Sequence, residues 1–406
     1  MVNRRQVLRT AGGAALGLGS GLFGVSRLAA FAAEAVDLPF GNGERPLVTY
    51  PGKRAMIGLT SRPPQLETPF AVFNESMLTP NDAFFVRYHL ADIPLEIDPV
   101  AFRIEVKGKV VKPLSLSLDD LKTGFDPVEL VAVHQCSGNS RGFFDPRVGG
   151  GQAGNGLMGN ARWKGVPLKS ILEKAGVSAG SVEVSFGGLD GPVIPETPDF
   201  AKSLKLDHAL DGEVMLAYQM NGEDLPWLNG FPVRLVVPGF FGTYWVKHLN
   251  EITVLDTPLD NFWMKTAYRV PDNDCACVPA GTKPETTVPI GRFAVRSFIT
   301  SVENGAKVAA GQPTALRGIA FDGGSGIAMV EVSADGGKTF APAVLGEDLG
   351  KFSFREWTAS VTLSAGDHAL KVRATNVLNE SQPMEATWNP SGYLRNVVET
   401  TRVVAA

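Results

Sequence analysis

The stretch VAVHQCSGNSRG, residues 131 to 142, brings together two side chains that can do chemistry. An apolar, strand-like run ends at Cys136, and small polar residues then lead to Arg141. A cysteine thiolate is a soft metal ligand, and a guanidinium binds oxyanions through a fork of N–H donors. A lone cysteine at a strand end is also commonly a small buried residue without chemistry of its own. The two residues alone leave both interpretations open.

Three further clusters place polar groups in apolar surroundings. In NDAFFVRYHL, Arg87 and His89 are two residues apart, so they share one face of an extended strand. Arg234 and Lys247 lie in the apolar segment NGFPVRLVVPGFFGTYWVKHLNEI, where a charge needs a partner or an anion. Tyr268 follows in NFWMKTAYRVP. Taken singly, an exposed strand pair, an ordinary ion pair or a packed tyrosine explains each cluster equally well.

The elements that must position these side chains are mainly strands. The sequence has 45 glycines and 28 prolines between short runs of Val, Ile and Phe, which is typical of a strand-rich protein. The segment FRIEVKGKVVKPLSLSLDDLKTG predicts a strand, a turn and a helix capped at Ser117. The segment KGVPLKSILEKAGV predicts an amphipathic helix that ends at Gly176, with Leu168, Ile171 and Leu172 on its apolar face.

The chain of 406 residues is long enough for two domains. A segment rich in Pro, Asp, Asn and Cys, around residues 258–290, predicts a linker. From Phe293 onward, five alternating strand runs separated by turns predict an Ig-like β-sandwich. We therefore predict an α+β protein, with a mixed α/β domain over residues 33–275 and the sandwich over residues 285–406.

Residues 1–32 have the features of a twin-arginine export signal. Arg4 and Arg5 precede a mildly apolar, Gly/Ala-rich run that ends in the small residues around Ala32. The signal predicts a periplasmic protein without a stable membrane anchor, and an amphipathic N-terminal helix is the alternative. Because this export route carries folded proteins, it also indicates a cofactor inserted before export.

Charge and cysteine content restrict the partners. Residues 1–32 contain four arginines and no acid, so their removal changes the formal net charge from −4 to −8. An acidic surface disfavours nucleic acid and suits a basic protein partner. Without a Cys-x-x-Cys-His motif, we expect no c-type haem in this chain. Cys275 and Cys277 are compatible with a mutual disulfide, free thiols or adventitious metal binding, and we favour a structural role.

In this order and spacing, the clusters resemble one family of enzymes. The matching motifs are FVR-x-H at 85–89, Cys-x-Gly-Asn-x-Arg at 136–141, Ala-Arg-Trp at 161–163, LAYQMNG at 216–222, GFPVRLVVPG at 230–239, Val-Lys at 246–247 and VEVSADGGKTF in the second domain. The chain resembles the molybdopterin enzymes of the sulfite oxidase family, and most of all the exported bacterial sulfite dehydrogenases. The resemblance implies a molybdopterin-binding domain followed by an Ig-like dimerisation domain, and hence a homodimer.

The resemblance also implies roles for individual residues. Cys136 is implied to ligate molybdenum beside the dithiolene of a single pyranopterin. Arg87 and Arg141 are implied to bind sulfite, with Tyr268 near the metal's equatorial oxygen and His89 lining the same pocket. The residues implied to bind the cofactor are Phe85, Arg87, Tyr88, His89, Cys136, Asp190, Asn229, Arg234, Trp245 and Lys247.

The implied reaction is the oxidation of sulfite to sulfate, with two electrons passed one at a time to a soluble c-type cytochrome. The chain departs from the family pattern near its C-terminus. Where animal members read Trp-Asn-x-Arg-Gly, residues 388–392 read Trp-Asn-Pro-Ser-Gly, so Ser391 replaces the arginine that the second domain lends to the substrate pocket. Asn229 and Ala267 also replace family residues, a histidine and an aspartate.

Two other functions explain parts of the sequence. An exported molybdopterin-dependent sulfoxide reductase also uses one cysteine ligand and twin-arginine export, but such proteins resemble only the first domain. A cofactor-free secreted binding or adhesion protein accounts for the Ig-like domain, but it leaves the export signal unexplained and makes Cys136 an ordinary core residue. The sulfite dehydrogenase accounts for all of these features.

Overall fold

The computed structural model describes residues 35–38 and 43–406. The predicted export signal, residues 1–32, lies outside the described residues. Residues 34–406 form one compact unit. Among the described residues, no helix has both the length and the apolar character needed to cross a membrane.

An antiparallel meander at the N-terminal end carries the predicted pair Arg87 and His89. Its five strands, paired in sequence order, are β1 (Ala35–Leu38), β2 (Gly43–Val48), β3 (Met56–Ser61), β4 (Pro64–Glu67) and β5 (Val86–Arg87). The register of the last pair places Arg87 opposite Gln65. The strand predicted around Arg87 and His89 is therefore only two residues long, and His89 follows its end.

Two larger sheets, the two-stranded sheet β16-β17 and four short helices complete the first domain. The elements are β6 (Arg103–Gly108), β7 (Leu114–Ser117), α1 (Leu118–Thr123), β8 (Val128–Gln135), β9 (Met158–Pro167), α2 (Leu168–Ala175), β10 (Glu183–Gly188), β11 (Ala201–Lys205), α3 (Leu206–Ala209), β12 (Met215–Met220), β13 (Glu223–Asp224), β14 (Arg234–Val236), β15 (Leu249–Leu255), α4 (Phe262–Lys265), β16 (Arg269–Pro271) and β17 (Thr287–Pro289). The sheet orders are β11-β10-β15-β6-β7 and β13-β12-β9-β8, with β14 paired to β12. Single 3₁₀ turns lie at Phe70–Asn74, Arg141–Phe143, Trp227–Asn229 and Gly242–Tyr244.

Both predicted helices are present, with the predicted cap at Ser117 and the predicted end at Gly176. The hydroxyl of Ser117 accepts the N–H of Asp120 at 3.0 Å, and the Asp120 carboxylate accepts the N–H of Ser117 at 2.9 Å. This reciprocal capping box satisfies two N–H groups that the first turn of α1 leaves without helical partners. Helix α2 ends at Gly176, whose φ of +71° is the left-handed conformation that favours glycine.

The second domain is a sandwich of two sheets, as predicted. Its strands are β18 (Arg296–Ile299), β19 (Ala306–Val308), β20 (Pro313–Phe321), β21 (Ile327–Ser333), β22 (Ala341–Pro342), β23 (Val344–Leu345), β24 (Arg355–Thr362), β25 (Gly366–Asn376) and β26 (Thr400–Ala405). The sheet orders are β18-β20-β24-β23 and β19-β26-β25-β21-β22. All five predicted runs form strands. The sequence analysis missed β19 and β26, which pair with each other in parallel.

The segment predicted as a linker is partly ordered. It contains α4 and the β16–β17 hairpin, and Cys275 and Cys277 form a disulfide bond with each other. Of the three interpretations of this cysteine pair, the mutual disulfide is the one observed.

One hydrophobic core extends from the first domain into the second, and the sandwich has another core of its own. Phe354 of the second domain meets the edge of Phe73 at 6.0 Å between ring centroids, and Phe298 meets Phe70 at 5.5 Å. The N–H of Val133, in the strand that leads to Cys136, donates to the carbonyl of Phe352 at 2.9 Å. The sandwich therefore packs directly beneath the strand that positions the cysteine.

Candidate active site

Cys136 begins the loop that follows β8, and backbone hydrogen bonds fix its position. Its N–H donates to the carbonyl of Leu157 at 2.9 Å, and its carbonyl accepts the N–H of Asn139 at 3.0 Å. The N–H of Gly138 points at the sulfur, with N and Sγ 3.4 Å apart. The thiolate is the form of cysteine that binds metals. Cys136 is a free cysteine, so its thiol is available as a ligand.

An inner cavity collects most of the predicted site residues. It is lined by Phe85, Arg87, His89, His134, Cys136, Ser137, Asp190, Phe200, Arg234, Gly242, Thr243, Trp245, Val246, Lys247 and Tyr268. Nine of these positions are predicted from the sequence. Those that the sequence analysis missed include His134, Ser137 and Thr243. His134 stands two residues before Cys136, so its place in the strand is a signal that could have found it.

An outer cavity, with exposed residues in its lining, lies beside the first. Arg87, Cys136 and Tyr268 line both cavities. Arg141 lines only the outer cavity. Cys136 therefore lies where a cavity lined mostly by buried residues meets one with exposed lining residues. This arrangement suits an enclosed cofactor whose reactive end faces an incoming substrate.

Four polar atoms in the inner cavity have no hydrogen-bond partner among the described residues. They are His134 Nδ1, Ser137 Oγ, Arg234 Nε and Thr243 Oγ1. Buried polar atoms in folded proteins are nearly always paired, because leaving them unpaired is costly. The inner cavity therefore presents an unsatisfied set of donors and acceptors, which a polar ligand such as a pterin would satisfy.

The imidazole of His134 lines this chamber and stacks on a neighbouring aromatic ring. Its ring stacks on Trp245 with centroids 4.6 Å apart. Burial, reinforced by the nearby Arg234 and Lys247 cations, holds the pKa of His134 well below its usual range. A Cβ at Gly242 would lie 2.5 Å from His134 Nε2, so only glycine leaves room for the ring. His134 is therefore a neutral group with an unpaired ring nitrogen.

Arg234 brings a buried positive charge to the inner cavity. Its guanidinium donates to the carbonyls of Asn229 at 2.9 Å and Trp245 at 3.1 Å. It also lies 5.2 Å from the ring centroid of Trp163. Burial lowers the pKa of Arg234 to about 9, so the group stays cationic at neutral pH. A buried cation held by carbonyls and aromatic rings still attracts an anion, such as a phosphate.

Lys247 adds a second basic side chain to the same chamber. Its Nζ lies 3.4 Å from the ring centroid of Tyr88 and donates to the carbonyl of Arg87. Burial lowers the pKa of Lys247 well below its usual value, while the carboxylate of Asp190 acts in the opposite direction. Asp190 and Lys247 both line the cavity.

Two residues predicted to bind the cofactor have side chains outside the cavity lining. The hydroxyl of Tyr88 forms a hydrogen bond with His248 Nε2 at 2.7 Å. The side chain of Asn229 accepts from Lys53 Nζ at 2.6 Å and donates to the carbonyl of Phe85 at 3.0 Å. Because these contacts already use their polar groups, both side chains support the residues that line the cavity.

His89 and Tyr268 form an aromatic wall on the substrate side. The ring of His89 stacks on Phe200 at 3.7 Å and meets Tyr268 edge-on at 5.3 Å between centroids. Burial and the nearby cations, with Arg87 foremost, hold the pKa of His89 well below its usual range. Burial raises the pKa of Tyr268 above its usual value. Both groups are therefore neutral, and the tyrosine keeps its proton as a hydrogen-bond donor.

Glycines make room for the guanidinium of Arg141. Its Nε donates to the carbonyl of Ser391 at 3.3 Å and its Nη1 to that of Gly151 at 3.4 Å. A Cβ at Gly138 or at Gly150 would lie 2.8 Å from Nη1. The small residues around Arg141 therefore permit this placement, and two carbonyls orient the side chain.

Ser391, in the place of the family's arginine, offers no positive charge to the outer cavity. Its hydroxyl donates to the carbonyl of Arg269 at 2.8 Å. Instead, the second domain contributes Tyr393, which stacks on Tyr268 with centroids 5.8 Å apart and planes at 5°. The Arg141 guanidinium lies 5.0 Å from the ring centroid of Tyr393. The sequence analysis missed this residue, although it lies only two positions after Ser391.

Arg296 of the second domain fixes the residue next to Arg141. This side chain is 1% exposed, and its guanidinium donates to the hydroxyl of Ser140 at 3.0 Å and to the carboxylate of Glu399 at 3.1 Å. Ser140 has a φ of +68°, which is unusual for a residue other than glycine. The sandwich therefore helps to hold the cysteine loop in a conformation that the loop does not favour by itself.

Glu67 holds the glycine-rich loop that forms another wall of the outer cavity. Its buried carboxylate accepts the N–H groups of Gly154 at 3.0 Å and Gly156 at 2.8 Å. Burial raises the pKa of Glu67 to about 7, although both hydrogen bonds act to lower it. The fold therefore favours the protonated carboxyl at acidic pH.

This titration predicts a pH-dependent stability. The stabilisation from neutral Glu67 is complete below its unfolded pKa of 4.5 and is lost as the pH rises through the folded value of about 7. We expect Glu67 to lower the free energy of unfolding by about 3 kcal/mol between pH 4 and pH 8. In Glu67→Gln this fall is missing, and in the exposed control Glu173→Gln it remains. Chemical denaturation at several pH values measures both, and an equal pH dependence in the two variants would contradict the assignment.

Comparison with known proteins agrees with this geometry. Residues 90–263 match the family model of the oxidoreductase molybdopterin binding domain, and residues 287–404 match that of the Mo-co oxidoreductase dimerisation domain. Human mitochondrial sulfite oxidase is 35% identical over 355 residues, which are 83% of this chain and 63% of that protein. Chicken sulfite oxidase is 33% identical over 361 residues, 85% of this chain and 76% of that protein. The NADH nitrate reductase of spinach is 30% identical over 369 residues, 84% of this chain and 40% of that protein.

A solved structure shows the same architecture. The sulfane dehydrogenase SoxCD from Paracoccus pantotrophus superposes with a TM-score of 0.72 at 25% identity, covering 84% of each chain. The chain spans just under two thirds of the length of its mammalian relatives. The unsatisfied polar atoms, the buried cations and the free thiol of the inner cavity fit a molybdenum-molybdopterin cofactor. By its sequence, its fold and the residues around Cys136, the chain belongs to the sulfite oxidase family of molybdopterin oxidoreductases.

Proposed function

We propose that this chain is a periplasmic sulfite dehydrogenase, which oxidises sulfite to sulfate and passes electrons singly to a c-type cytochrome. The observation that carries the proposal is the meeting of the two cavities at Cys136. There, two guanidinium groups and a neutral phenol, those of Arg87, Arg141 and Tyr268, line the opening. Fork-shaped cations are the donors that suit a small oxyanion.

The inner cavity would hold the cofactor. Cys136 would supply the thiolate that ligates molybdenum. Arg234 and Lys247 would bind the phosphate, and the unpaired atoms of His134 and Thr243 would form hydrogen bonds to the pyranopterin. When bound, the cofactor supplies the oxygen atom that sulfite gains and takes up the two electrons that it loses.

The residues of the outer cavity bind and orient the substrate. Arg87 and Arg141 hold the sulfite oxygens, so that the sulfur lone pair faces the chamber of Cys136. Tyr268 and His89 stay neutral and leave the charge of the two guanidinium groups uncompensated. The stacked rings of Tyr268 and Tyr393 form the wall that excludes water from one side of the site.

Three features support the location and the partners. The twin-arginine motif supports export to the periplasm, and the acidic mature chain suits a basic acceptor protein. The match to the dimerisation domain supports a homodimer. The similarity to a sulfane dehydrogenase and to sulfite oxidases supports a reduced sulfur compound as substrate.

The decisive experiment uses protein purified from the periplasm. Its molybdenum content is measured per chain, and the protein is mixed with sulfite and either ferricyanide or ferric cytochrome c. We expect one molybdenum per chain and sulfite-dependent reduction of both acceptors. Metal without sulfite oxidation, combined with sulfoxide-dependent oxidation of a reduced dye, would establish the reductase instead. If the exported protein binds no molybdenum, the result would favour the cofactor-free binding or adhesion protein.

Tyr393 provides a test of the substrate pocket. We expect Tyr393→Phe to raise the KM for sulfite about five-fold. The change keeps the ring but removes the hydrogen bond that we expect the hydroxyl to donate to sulfite, which is worth about 1 kcal/mol. The turnover number should change less than the KM. Tyr50→Phe, which alters a tyrosine outside both cavities, should leave the KM unchanged. An unchanged KM in Tyr393→Phe would mean that its hydroxyl does not contact sulfite.

A further inference from the structure

Two segments of the chain connect the inner cavity directly to the surface. His89 and Asp190 line the cavity. Three residues after His89, the N–H of Asp92 donates to the carbonyl of Gly191 at 3.2 Å, and the N–H of Gly191 donates back to the carbonyl of Asp92 at 2.8 Å. The surface that follows these two residues therefore lies just outside the wall of the cofactor chamber. We call residues 91–103 and 191–199 the exit face.

Large apolar side chains are exposed on the exit face. Leu95 is 96% exposed, Val100 80%, Val193 56% and Ile194 53%. Exposed apolar residues scattered singly need no explanation, but a group of them near a cofactor is typical of an interaction surface. A surface groove is lined by residues of the first segment, such as Asp92 and Glu96, and by Leu189, which lies two residues before the second segment.

Negative charge surrounds these apolar side chains. The two segments contain the exposed carboxylates Asp92, Glu96, Asp98, Glu196 and Asp199. The single basic residue in the same segments is Arg103, whose guanidinium donates to the carbonyls of Val100 and Phe102, both at 2.7 Å. The exit face therefore carries four large exposed apolar side chains, which we call its apolar centre, together with five exposed carboxylates and one arginine.

Aromatic rings fill the wall between the cavity and this face. Phe200, which follows Asp199, stacks on His89 at 3.7 Å. Trp263 meets Phe200 at 5.1 Å, and its Nε1 donates to the carbonyl of Asp199 at 2.8 Å. His89, Phe200 and Trp263 therefore form a continuous series of aromatic contacts from the cavity lining to Asp199 on the exit face.

We propose that the exit face is the docking site of a basic, haem-bearing electron acceptor; this inference rests on the proposed function. Opposite charges steer the two proteins together, and the apolar centre excludes water in the complex. The face lies outside residues 287–404, which match the dimerisation domain, so it serves the acceptor in each protomer. Sulfite and one water give sulfate, two protons and two electrons, and two ferric haems are reduced in turn to the ferrous state.

Charge reversal on the exit face tests the proposal in the full-length holoenzyme. In Glu96→Lys/Glu196→Lys, we expect kcat/KM for basic ferric cytochrome c to fall at least about ten-fold at low ionic strength. The salt dependence of this reaction should become flatter, because fewer opposite charges attract each other. Sulfite oxidation with ferricyanide, which needs no protein docking, should keep its rate. The control Asp126→Lys/Asp224→Lys makes the same change of net charge at exposed acids elsewhere and should have little effect.

A second variant tests the apolar centre. Leu95→Ser should lower kcat/KM for the cytochrome at high ionic strength as well, where steering is screened. Equal losses in the exit-face and control variants, or no loss in either, would overturn the docking site. Ferricyanide reduction without any cytochrome reduction by the unaltered protein would overturn it too. If the unaltered protein reduces neither acceptor with sulfite, the proposed function itself fails.

Discussion

Cys136→Ser should abolish sulfite oxidation while the protein remains folded. A serine hydroxyl is hard and protonated at neutral pH, whereas molybdenum beside a dithiolene requires a soft, deprotonated ligand. We expect turnover with ferricyanide to fall more than about 100-fold, since even residues that only support a metal ligand often cost 10- to 100-fold when replaced. Steady-state kinetics and the molybdenum content per chain measure the effect, and circular dichroism reports the fold.

The other two cysteines supply the matched control for this variant. Cys275 and Cys277 are joined to each other and line neither of the cavities at Cys136. Their double replacement by serine should leave sulfite turnover near that of the unaltered protein. Turnover by Cys136→Ser at the unaltered rate would remove the cysteine from the chemistry and return it to a packing role.

Arg141→Gln should have the second largest effect, and mainly on substrate binding. The replacement removes a charged fork that two carbonyls orient toward the outer cavity. Losing one member of a buried charge pair costs roughly 2–5 kcal/mol, so we expect the KM for sulfite to rise about 100-fold. The molybdenum content should stay unchanged, because Arg141 lines only the outer cavity.

Two comparisons separate charge from geometry at this position. Arg141→Lys keeps the charge but loses the fork, so its KM should lie between those of the unaltered protein and Arg141→Gln. Arg147→Gln removes an exposed arginine six residues further along and should change nothing. If Arg141→Gln binds sulfite normally, Arg87 alone supplies the positive charge for the substrate.

The parts of the site that the sequence predicts are those carried by contiguous motifs. Cys136 and Arg141 lie five residues apart in one loop, and Arg87 and His89 lie two apart, so short motifs are enough to show the family resemblance that implies their roles. The helix ends at Ser117 and Gly176 are also local, because a cap depends on a few neighbouring residues. These predictions required no knowledge of how the sheets pack.

The contributions that the sequence analysis missed come from distant residues. Arg296 meets Ser140 across 156 positions, and Glu67 meets Gly156 across 89 positions. Such pairs exist only once the sheets are packed, so no spacing rule reveals them. Tyr88 shows the complementary difficulty: a strand of only two residues gives too little alternation to tell a lining side chain from a supporting one.

The shared core changes what the second domain does for the protein. A sandwich that only brought two protomers together would have no part in positioning the active site. In this protein, the carbonyl of Phe352 accepts a hydrogen bond from the strand that leads to Cys136, and Arg296 donates one to Ser140. Each copy thus carries its own scaffold for the cysteine loop. A mutation that splits the dimer should therefore yield active single chains, whereas a chain shortened before the sandwich should be a misassembled remnant rather than a smaller enzyme.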